Sequence, residues 1–421
     1  MFALIDGNSF FCSCERVFRP DLKHMPIVVL SNNDGCVVAR TTEAKDMGIK
    51  MGMPYYQVRH LVKQGRLLAF SSNYELYADI SSRMMQSIAS LVPAIEVYSI
   101  DECFADVRGM ADLRALGIHI RERVWQWVGI PVCIGIAPTK TLAKFCNHLA
   151  KRHPNHFNGV VVWEDWKTGT RQRAMASEPV TEVWGIGRRI GKKLAEQQIH
   201  TVLDFYYANT ALLRKRYGVM VERVQRELHG MACDNLHHAE DSRQNLIRSR
   251  SFSKRITKLD PLRSAVCHHI SSGAAALRRQ GTQAHTVAVF IQTDRFREDI
   301  PQYHGYRLTA LPVASSDTLL LNVAAQALLE QIYRQGYAYK KCGIELGGIE
   351  SVAIGAQQDL WVPGDAPERH RLMAILDRIN QRFGRQSIMV GSENLSRDWR
   401  MNRDLLSPRY TTRFSDLLSL D

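Results

Sequence analysis

Apolar and polar positions follow two periods along this chain. Phe2-Ala3-Leu4-Ile5 is a continuous apolar run that stops at Asp6 and breaks at Gly7, the signature of a short buried strand over residues 1–6. Glu75, Leu76, Ala78, Ile80, Met84, Ile88 and Leu91 fall on a helical period over 75–92, closed by Pro93. Val97-Tyr98-Ser99-Ile100 and Cys103-Phe104-Ala105-Asp106-Val107 then read as two antiparallel strands with Asp101-Glu102 at their tight junction. A helix near 111–127, a strand over 131–136, a helix over 139–151 and a strand over 159–163 complete the set. That order predicts a ferredoxin-like βαββαβ sheet. Residues 10–74 interrupt it after the first strand and are expected to form a small separate lobe.

Beyond the sheet, Thr181 to Ala208 reads as a helix-hairpin-helix built on the turn Gly185-Ile186-Gly187, and the polar stretch 234–246 as a linker. Arg248-Ser249-Arg250-Ser251-Phe252-Ser253-Lys254 is expected to be an exposed basic strand, followed by a helix over 263–280 and a strand over 285–293. Past 350 a loop bearing Gly, Pro and Asp precedes a helix near 367–383 and a polar tail. No internal repeat or low-complexity tract interrupts this order. The fold class expected is a multidomain α+β protein.

Composition narrows the setting. At 421 residues and 45% hydrophobic content the chain can bury several cores, and its longest apolar runs are strand-length, so no membrane span is expected. No basic segment followed by a long apolar run opens the chain, so no secretory leader is expected. Nine cysteines without a Cys-x-x-Cys pair suit free thiols in a reducing cytoplasm and disfavour a zinc site. The pairs His237-His238 and His268-His269 lack cysteine partners and read as surface or core histidines.

The net charge of +13 is not evenly spread. Residues 166–232 hold 12 Lys/Arg against 6 Asp/Glu, and residues 243–310 hold 12 against 4, so the rest is close to neutral. Concentrated positive charge implies a polyanion partner. In the hairpin, Gly185 and Gly187 let backbone N–H groups approach phosphates, and Arg188, Arg189, Lys192 and Lys193 follow at once. Arg248, Arg250 and Lys254 supply a second basic element. DNA-backbone binding is the reading that both patches favour.

Carboxylates at the ends of buried strands are costly unless a positive group compensates them. Asp6, Asp101 and Glu102 converging on one point are what a phosphoryl-transfer site with bound Mg²⁺ needs, because Mg²⁺ takes hard oxygen ligands. Asp101-Glu102 taken alone is equally compatible with a polar hairpin turn.

Four segments carry a resemblance: Asp6-Gly7-Asn8-Ser9-Phe10-Phe11-Cys12-Ser13-Cys14-Glu15, Val38-Ala39-Arg40-Thr41-Thr42-Glu43-Ala44-Lys45, Tyr98-Ser99-Ile100-Asp101-Glu102 and Gly135 through Lys144. They resemble Y-family DNA polymerases. Ser31 to Cys36, Phe70 to Ala78 and Leu406-Ser407-Pro408-Arg409-Tyr410-Thr411-Thr412 narrow the likeness to the UmuC branch, the catalytic subunits of bacterial DNA polymerase V and their plasmid-borne relatives.

The resemblance implies a right hand: palm at 1–9 and 75–165, fingers at 10–74, thumb with the helix-hairpin-helix at 166–240, little finger at 243–350, and a partner-binding region at 351–421. It implies error-prone translesion synthesis, adding dNTPs opposite damaged bases of a primer-template in SOS-type repair. Asp6 and Asp101 would bridge two Mg²⁺ ions, with Glu102 on the metal nearer the primer end and the Gly7 carbonyl on the other. Lys45 and Lys151 match triphosphate-binding positions. Phe10 would pack near the triphosphate or sugar, and Phe11 matches the plate that excludes a 2′-hydroxyl.

Gly7, Ser9 and Cys12 stand where an aliphatic and two alanines are usual, and Phe11 where the branch usually has Tyr. The likeness also implies a processed UmuD-like dimer and RecA as partners. Gln357-Gln358-Asp359-Leu360-Trp361 resembles a sliding-clamp motif in which Gln357, Leu360 and Trp361 are the anchors. The alternative reading is a non-catalytic DNA-binding scaffold that keeps the fold, and the three intact carboxylates argue against it.

Overall fold

The computed structural model describes residues 1–236, 244–352, 367–384, 386–394, 399 and 401–417. The chain divides into two compact units: one of Met1–Ser31, Gly35–Ala239 and Leu405–Asp421, the other of Asn32–Asp34 and Glu240–Asp404.

The strands of the first unit are β1 (Phe2–Gly7), β2 (Ile27–Leu30), β3 (Val37–Arg40), β4 (Leu68–Ser71), β5 (Ala94–Val97), β6 (Glu102–Asp106), β7 (Val132–Ala137) and β8 (Val160–Val162). Its helices are α1 (Phe10–Val17), α2 (Thr42–Asp46), α3 (Tyr55–Lys63), α4 (Tyr74–Ala89), α5 (Leu113–Val128), α6 (Lys140–Arg152), α7 (Pro154–Phe157), α8 (Thr168–Ser177), α9 (Arg188–Ala195), α10 (Val202–Tyr207), α11 (Thr210–Tyr217) and α12 (Val219–Leu228). The main sheet runs β5-β6-β1-β7-β8, antiparallel except for the β7–β8 pair. Its first four strands take the expected ferredoxin-like order, but β5 ends at Val97, the expected start of the hairpin's first strand, and residues 98–101 form the turn instead; β8 extends the sheet.

Strand parity divides the core. Ala3 and Ile5 of β1, Cys103 and Ala105 of β6, and Ile134 and Ile136 of β7 join one apolar cluster with α1, α4 and α5. Phe2 and Leu4, Phe104, and Cys133 and Ala137 join the other, with α6 and residues of α8 to α12. Gly135 shares the parity of Cys133 and Ala137. A Cβ there would collide with the backbone of Ala143 and Asn147, so α6 lies directly on bare backbone of β7. Asn147 fixes the seat by donating to the carbonyls of Cys133 at 2.6 Å and Leu4 at 3.4 Å. Glu227 of α12 ties on the helical layer, accepting from the Thr141 amide at 3.0 Å and its hydroxyl at 2.5 Å.

Residues 10–74 do not form a compact unit of their own. Phe10, Cys12 and Cys14 of α1 are buried in the main core, and alternate residues of β2 face it: Ile27 and Val29 point there while Val28 and Leu30 face the cluster under α2 and α3. A helix whose apolar face completes another element's core cannot separate from it.

The second unit contains β9 (Asn245–Ile256), α13 (Leu259–Arg279), β10 (Thr282–Thr293), β11 (His304–Ser315), α14 (Thr318–Ile332), β12 (Tyr339–Gly347) and α15 (Pro367–Phe383). Its antiparallel sheet runs β11-β10-β12-β9, and α13 and α14 pack on it over a core that includes Phe252, Val266, Ile270, Val289 and Ile344. The expected C-terminal region is shared out: α15 is held in the second unit by Arg278–Asp377 at 2.7 Å, whereas 405–417 belong to the first.

Gly135→Ala should unfold at markedly lower denaturant, by roughly 3 kcal/mol or more, since backbone rather than a pliable side chain meets the new methyl. Urea titration of the variant beside Gly169→Ala, where a Cβ meets open space, checks this; equal midpoints would show that β7 and α6 can part without cost.

Candidate functional site

Asp6 and Glu102 are direct partners in the β1–β6 register. Both have the parity of Leu4 and Phe104, so both face α6. Asp101 lies in the turn between β5 and β6, where its carbonyl accepts the Gly7 amide at 2.8 Å. Ser99 shapes that turn: its hydroxyl donates to Asp101 Oδ1 at 2.5 Å and accepts the amides of Asp101 and Glu102 at 3.2 and 3.1 Å. Three carboxylates are thereby gathered at one end of the central strands.

The positive charge comes from α6. Lys140, Lys144 and Lys151 are spaced four and seven residues apart and form one helical stripe. Lys151 Nζ lies 2.6 Å from Asp6 Oδ1, and Lys144 Nζ lies 2.9 Å from Glu102 Oε1. Lys144 also sits over the rings of Tyr98 at 4.6 Å and Trp184 at 5.0 Å, which brings the hairpin turn beside the carboxylates. Lys140, 1% exposed, pairs with Glu96 at 2.8 Å and Asp234 at 3.1 Å and braces the neighbouring strand. Burial pushes Asp6 up to about 6; Lys151 opposes the rise, and the charges of Asp101 and Glu102 add to it.

A second cationic group lies beside the first. Lys45 of α2 is held below its usual range by burial and then by the charges of Arg40 and Lys151. Arg40 ends β3 with Nε and Nη1 buried and without a hydrogen-bond partner. An orphaned guanidinium next to two lysines is poorly satisfied by the protein alone and suits a polyanion.

Phe10 is buried with its ring against Gly7: a Cβ at 7 would stand 2.9 Å from Phe10 Cδ2, so the bare backbone there makes room for the ring. Phe11 is half-buried and stacks on Tyr77, ring centroids 4.6 Å apart and planes 16° apart. Cys12 and Cys103 are fully buried, and burial pushes both thiols up to about 12, so neither is a nucleophile at neutral pH.

The structure therefore brings together Asp6, Gly7, Asp101, Glu102, Lys45, Lys151, Phe10 and Phe11. Lys144, Arg40 and Ser99 join them although sequence reasoning gave them no role. All three lie in segments that carry the resemblance, which gave none of them a role; for Lys144 the stripe on α6 was a further signal.

Gly185 (φ 90°) and Gly187 form the hairpin turn before α9, and Arg188, Arg189, Lys192 and Lys193 are exposed on that helix. In the second unit Lys254 is exposed, but Arg250 is not the free basic side chain expected. It shares the parity of Leu246 and Phe252, lies over Trp399 at 5.6 Å, and is held below its usual range by burial and by Arg403. Arg248 has the same parity, and both lower the buried His269 of α13, which falls to about 3 mainly through desolvation. Gln357, Leu360 and Trp361 lie outside the described residues.

The donor set fits a hard divalent cation: carboxylate oxygens, one of them made resistant to ionisation chiefly by burial. Among the described residues no three His, Cys, Asp or Glu side chains stand poised around one ion; Asp6 and Glu102 each turn to a lysine instead. No described helix is long and apolar enough to cross a membrane.

The impB/mucB/samB family matches residues 5–148, its C-terminal domain matches 243–360, and a domain of unknown function matches 370–420. Protein UmuC of Salmonella typhimurium is 42% identical, covering 99% of this chain and 99% of its own. Protein MucB of Escherichia coli is 41% identical over 98% and 97%, and DNA polymerase IV of Moorella thermoacetica is 26% identical over 91% and 94%. Among solved structures, a Y-family DNA polymerase chimera of Dbh and Dpo4 superimposes with a TM-score of 0.65 at 21% identity, over 83% of this chain and 100% of that one. An insertion ternary complex of Dbh DNA polymerase gives 0.53 at 20%, with the same coverage. At such identities the structural likeness establishes the fold.

Asp6 has a folded pKa raised from 3.8 to about 6, so its contribution to stability is complete below about pH 4 and lost as pH rises through 6. Asp6→Asn should thus stabilise the chelator-treated protein at pH 8 by about 2 kcal/mol and gain little at pH 4. Urea midpoints at the two pH values test it; a variant less stable than the parent at pH 8 would mean that the Lys151 pair outweighs the burial cost.

Proposed function

Since the chain belongs to the impB/mucB/samB family of Y-family DNA polymerases, and is thus a UmuC-like translesion DNA polymerase, we propose that Asp6, Asp101 and Glu102 are its catalytic carboxylates and hold two Mg²⁺ ions. The family's enzymes are metal-dependent nucleotidyltransferases acting on DNA with dNTPs. The observation that carries the assignment is the pairing of Asp6 with Glu102 on the α6 face, with Lys151, Lys45 and Arg40 beside them.

Bound Mg²⁺ supplies a lowered pKa for the attacking 3′-hydroxyl and positive charge for the leaving pyrophosphate. The protein's own work is placement. Lys151, Lys45 and Arg40 receive the triphosphate, so that Arg40 gains the anion its burial lacks. Lys144 pairs with Glu102 and compensates its charge. Phe10 packs at the base of the strand end, and Phe11 lies beneath the sugar, where a 2′-hydroxyl would meet its ring.

In this reading the main sheet is the palm (1–9 and 75–165), 10–74 the fingers, 166–240 the thumb and 243–350 the little finger. Gly185, Gly187, Arg188 and Arg189 hold the DNA backbone through the thumb, and Arg248, Arg250 and Lys254 through the little finger, with Lys254 the accessible one of the three. The enzyme extends primers past damaged bases in SOS-type mutagenesis in the cytoplasm. Its partners are a processed UmuD-like dimer, RecA and the sliding clamp, the last through Gln357, Leu360 and Trp361.

Asp101→Ala and Glu102→Ala should each abolish nucleotide incorporation while leaving primer-template affinity near the parent's, because DNA affinity rests on the basic thumb and little finger. Primer extension and fluorescence anisotropy read the two quantities. Extension persisting in both variants would remove the assignment, whereas a parent protein that binds primer-template and extends nothing would favour a scaffold subunit. Arg40→Ala should raise KM for dNTP by roughly 10-fold with a smaller effect on kcat. An unchanged KM in steady-state extension would place Arg40 outside the triphosphate site.

A further inference from the structure

The segment Leu405–Tyr410 follows the second unit in sequence yet is built into the first, and its contacts converge on the support of Phe11. Glu15 of α1 is 1% exposed, and its Oε1 accepts two hydrogen bonds. One comes from Tyr77 Oη at 2.6 Å, the other from Ser407 Oγ at 3.1 Å. Tyr77 is fully buried, and its ring is the surface on which Phe11 stacks. Tyr74 stands edge-on to both rings, at 6.0 Å from Phe11 and 6.3 Å from Tyr77.

Ser407 is in turn held by Asn73, whose amide donates to Ser407 Oγ at 2.9 Å and to the carbonyls of Ser407 and Pro408 at 3.2 Å each. Asn73 is also the N-cap of α4, the helix that carries Tyr74 and Tyr77. Leu405 exchanges hydrogen bonds with Ser71 at the end of β4, and Tyr410 stacks on Phe18 just past α1 at 4.6 Å. The segment thus grips the start of α4 and the end of α1, the two elements whose aromatic rings meet at Phe11.

We propose that Leu405–Tyr410 is a positioning strap for sugar selection: Ser407, acting through Glu15 and Tyr77, sets the plane of the Phe11 ring. This rests on the reading of Phe11 as the plate beneath the sugar. The argument is chemical. A carboxylate buried among hydroxyls costs far more than apolar packing would, and burial pushes Glu15 up to about 7. A plug needed only for stability has no use for such a group. A directional acceptor that orients a phenol does, because the phenolic O–H prefers the ring plane, so the direction of the acceptor biases the plane of the Tyr77 ring. Ser407, Glu15 and Tyr77 touch no substrate and are positioning residues.

The test is the ratio of kcat/KM for dNTP to that for the matching rNTP, measured by single-nucleotide primer extension with the full chain. Phe11→Ala is the reference and should lose most of the discrimination. Tyr77→Phe, which keeps the ring and removes the hydroxyl, and Ser407→Ala should each lower the ratio by about 3- to 10-fold, the scale of one hydrogen bond. Most of the change should appear as faster ribonucleotide incorporation, with dNTP kinetics near the parent's and a melting temperature lowered by only a few degrees, from the loss of one partner of a buried carboxylate. Glu15→Gln retains an acceptor oxygen and should keep the ratio; Glu15→Leu should not. A parental ratio in both Tyr77→Phe and Ser407→Ala, with discrimination lost in Phe11→Ala, overturns the strap and leaves the plate standing. Equal loss in Glu15→Gln and Glu15→Leu overturns it as well. An unchanged ratio in Phe11→Ala removes the plate itself, and the strap with it. If Ser407→Ala fails to fold, Tyr77→Phe and Glu15→Gln decide the question.

Discussion

Everything at the site depends on the approach of α6 to β7. Strand parity sends Asp6 and Glu102 to the same side of the sheet, where two carboxylates would repel each other in a medium far less polarisable than water. Lys144 and Lys151 answer them at 2.9 and 2.6 Å, and they can do so only because Gly135 lets the helix axis come down onto bare backbone. Any side chain at 135 would lift the helix and with it the compensating charge. The same helix carries Thr141, which anchors α12, and His148 at 2.9 Å from Glu178, a buried carboxylate that Arg152 also reaches. One close contact thus sets both the charge balance of the site and the seat of the helical layer that bears the basic hairpin.

The compensation is deliberately incomplete. Asp6 remains at about 6 with its lysine in place, because burial, and after it the charges of Asp101 and Glu102, outweigh Lys151. Arg40 and Lys45 show the reverse: cations gathered with too few anions. A fold selected for stability alone would have paired the two sets with each other. On the proposed assignment the first set would hold divalent cations and the second the triphosphate, the two components of a nucleoside triphosphate complex.

Much of this was legible in the chain. The main sheet followed from apolar runs whose ends are marked by Gly7, Pro93 and Pro131, and helix limits came within a few residues because α4, α5 and α6 are strongly periodic. Asp6 stood out because it ends an apolar run, whereas Asp101-Glu102 taken alone reads equally well as a polar turn and drew its meaning from Asp6 and the resemblance. Three things were not. The pairing of Lys144 with Glu102 is a tertiary event, and an exposed helical lysine reads the same locally. The facing of Arg250 turns on the parity of β9, and alternating Arg and Ser offers no apolar residue to fix which side is covered until Leu246 and Phe252 are placed. The return of Leu405–Tyr410 to the first unit leaves no periodic trace, because its hold is a set of side-chain hydrogen bonds to residues more than 300 positions away.

The route along the chain from carboxylate to aromatic plate is short. Four residues separate Asp6 from Phe11. Within them Ser9 takes a left-handed conformation, φ 47° and ψ 44°, which is sparsely populated for a residue with a side chain. The turn is held on both sides: the Asn8 amide donates to the Pro131 carbonyl at 2.8 Å, and Ser13 Oγ donates to the Asn8 carbonyl at 2.7 Å. A sharp strand-to-helix turn of this kind leaves little slack, so α1 cannot tilt without pulling on β1. If Asp6 holds metal and Phe11 lies beneath the sugar, reactivity and sugar choice are set by one rigid corner. On the strap proposal the remaining freedom, the angle of the Phe11 ring, is set by Tyr77, which meets Phe11 and Glu15 on one face of α1. Selectivity can then be adjusted by residues that never approach the metals, while the carboxylates stay where the sheet puts them.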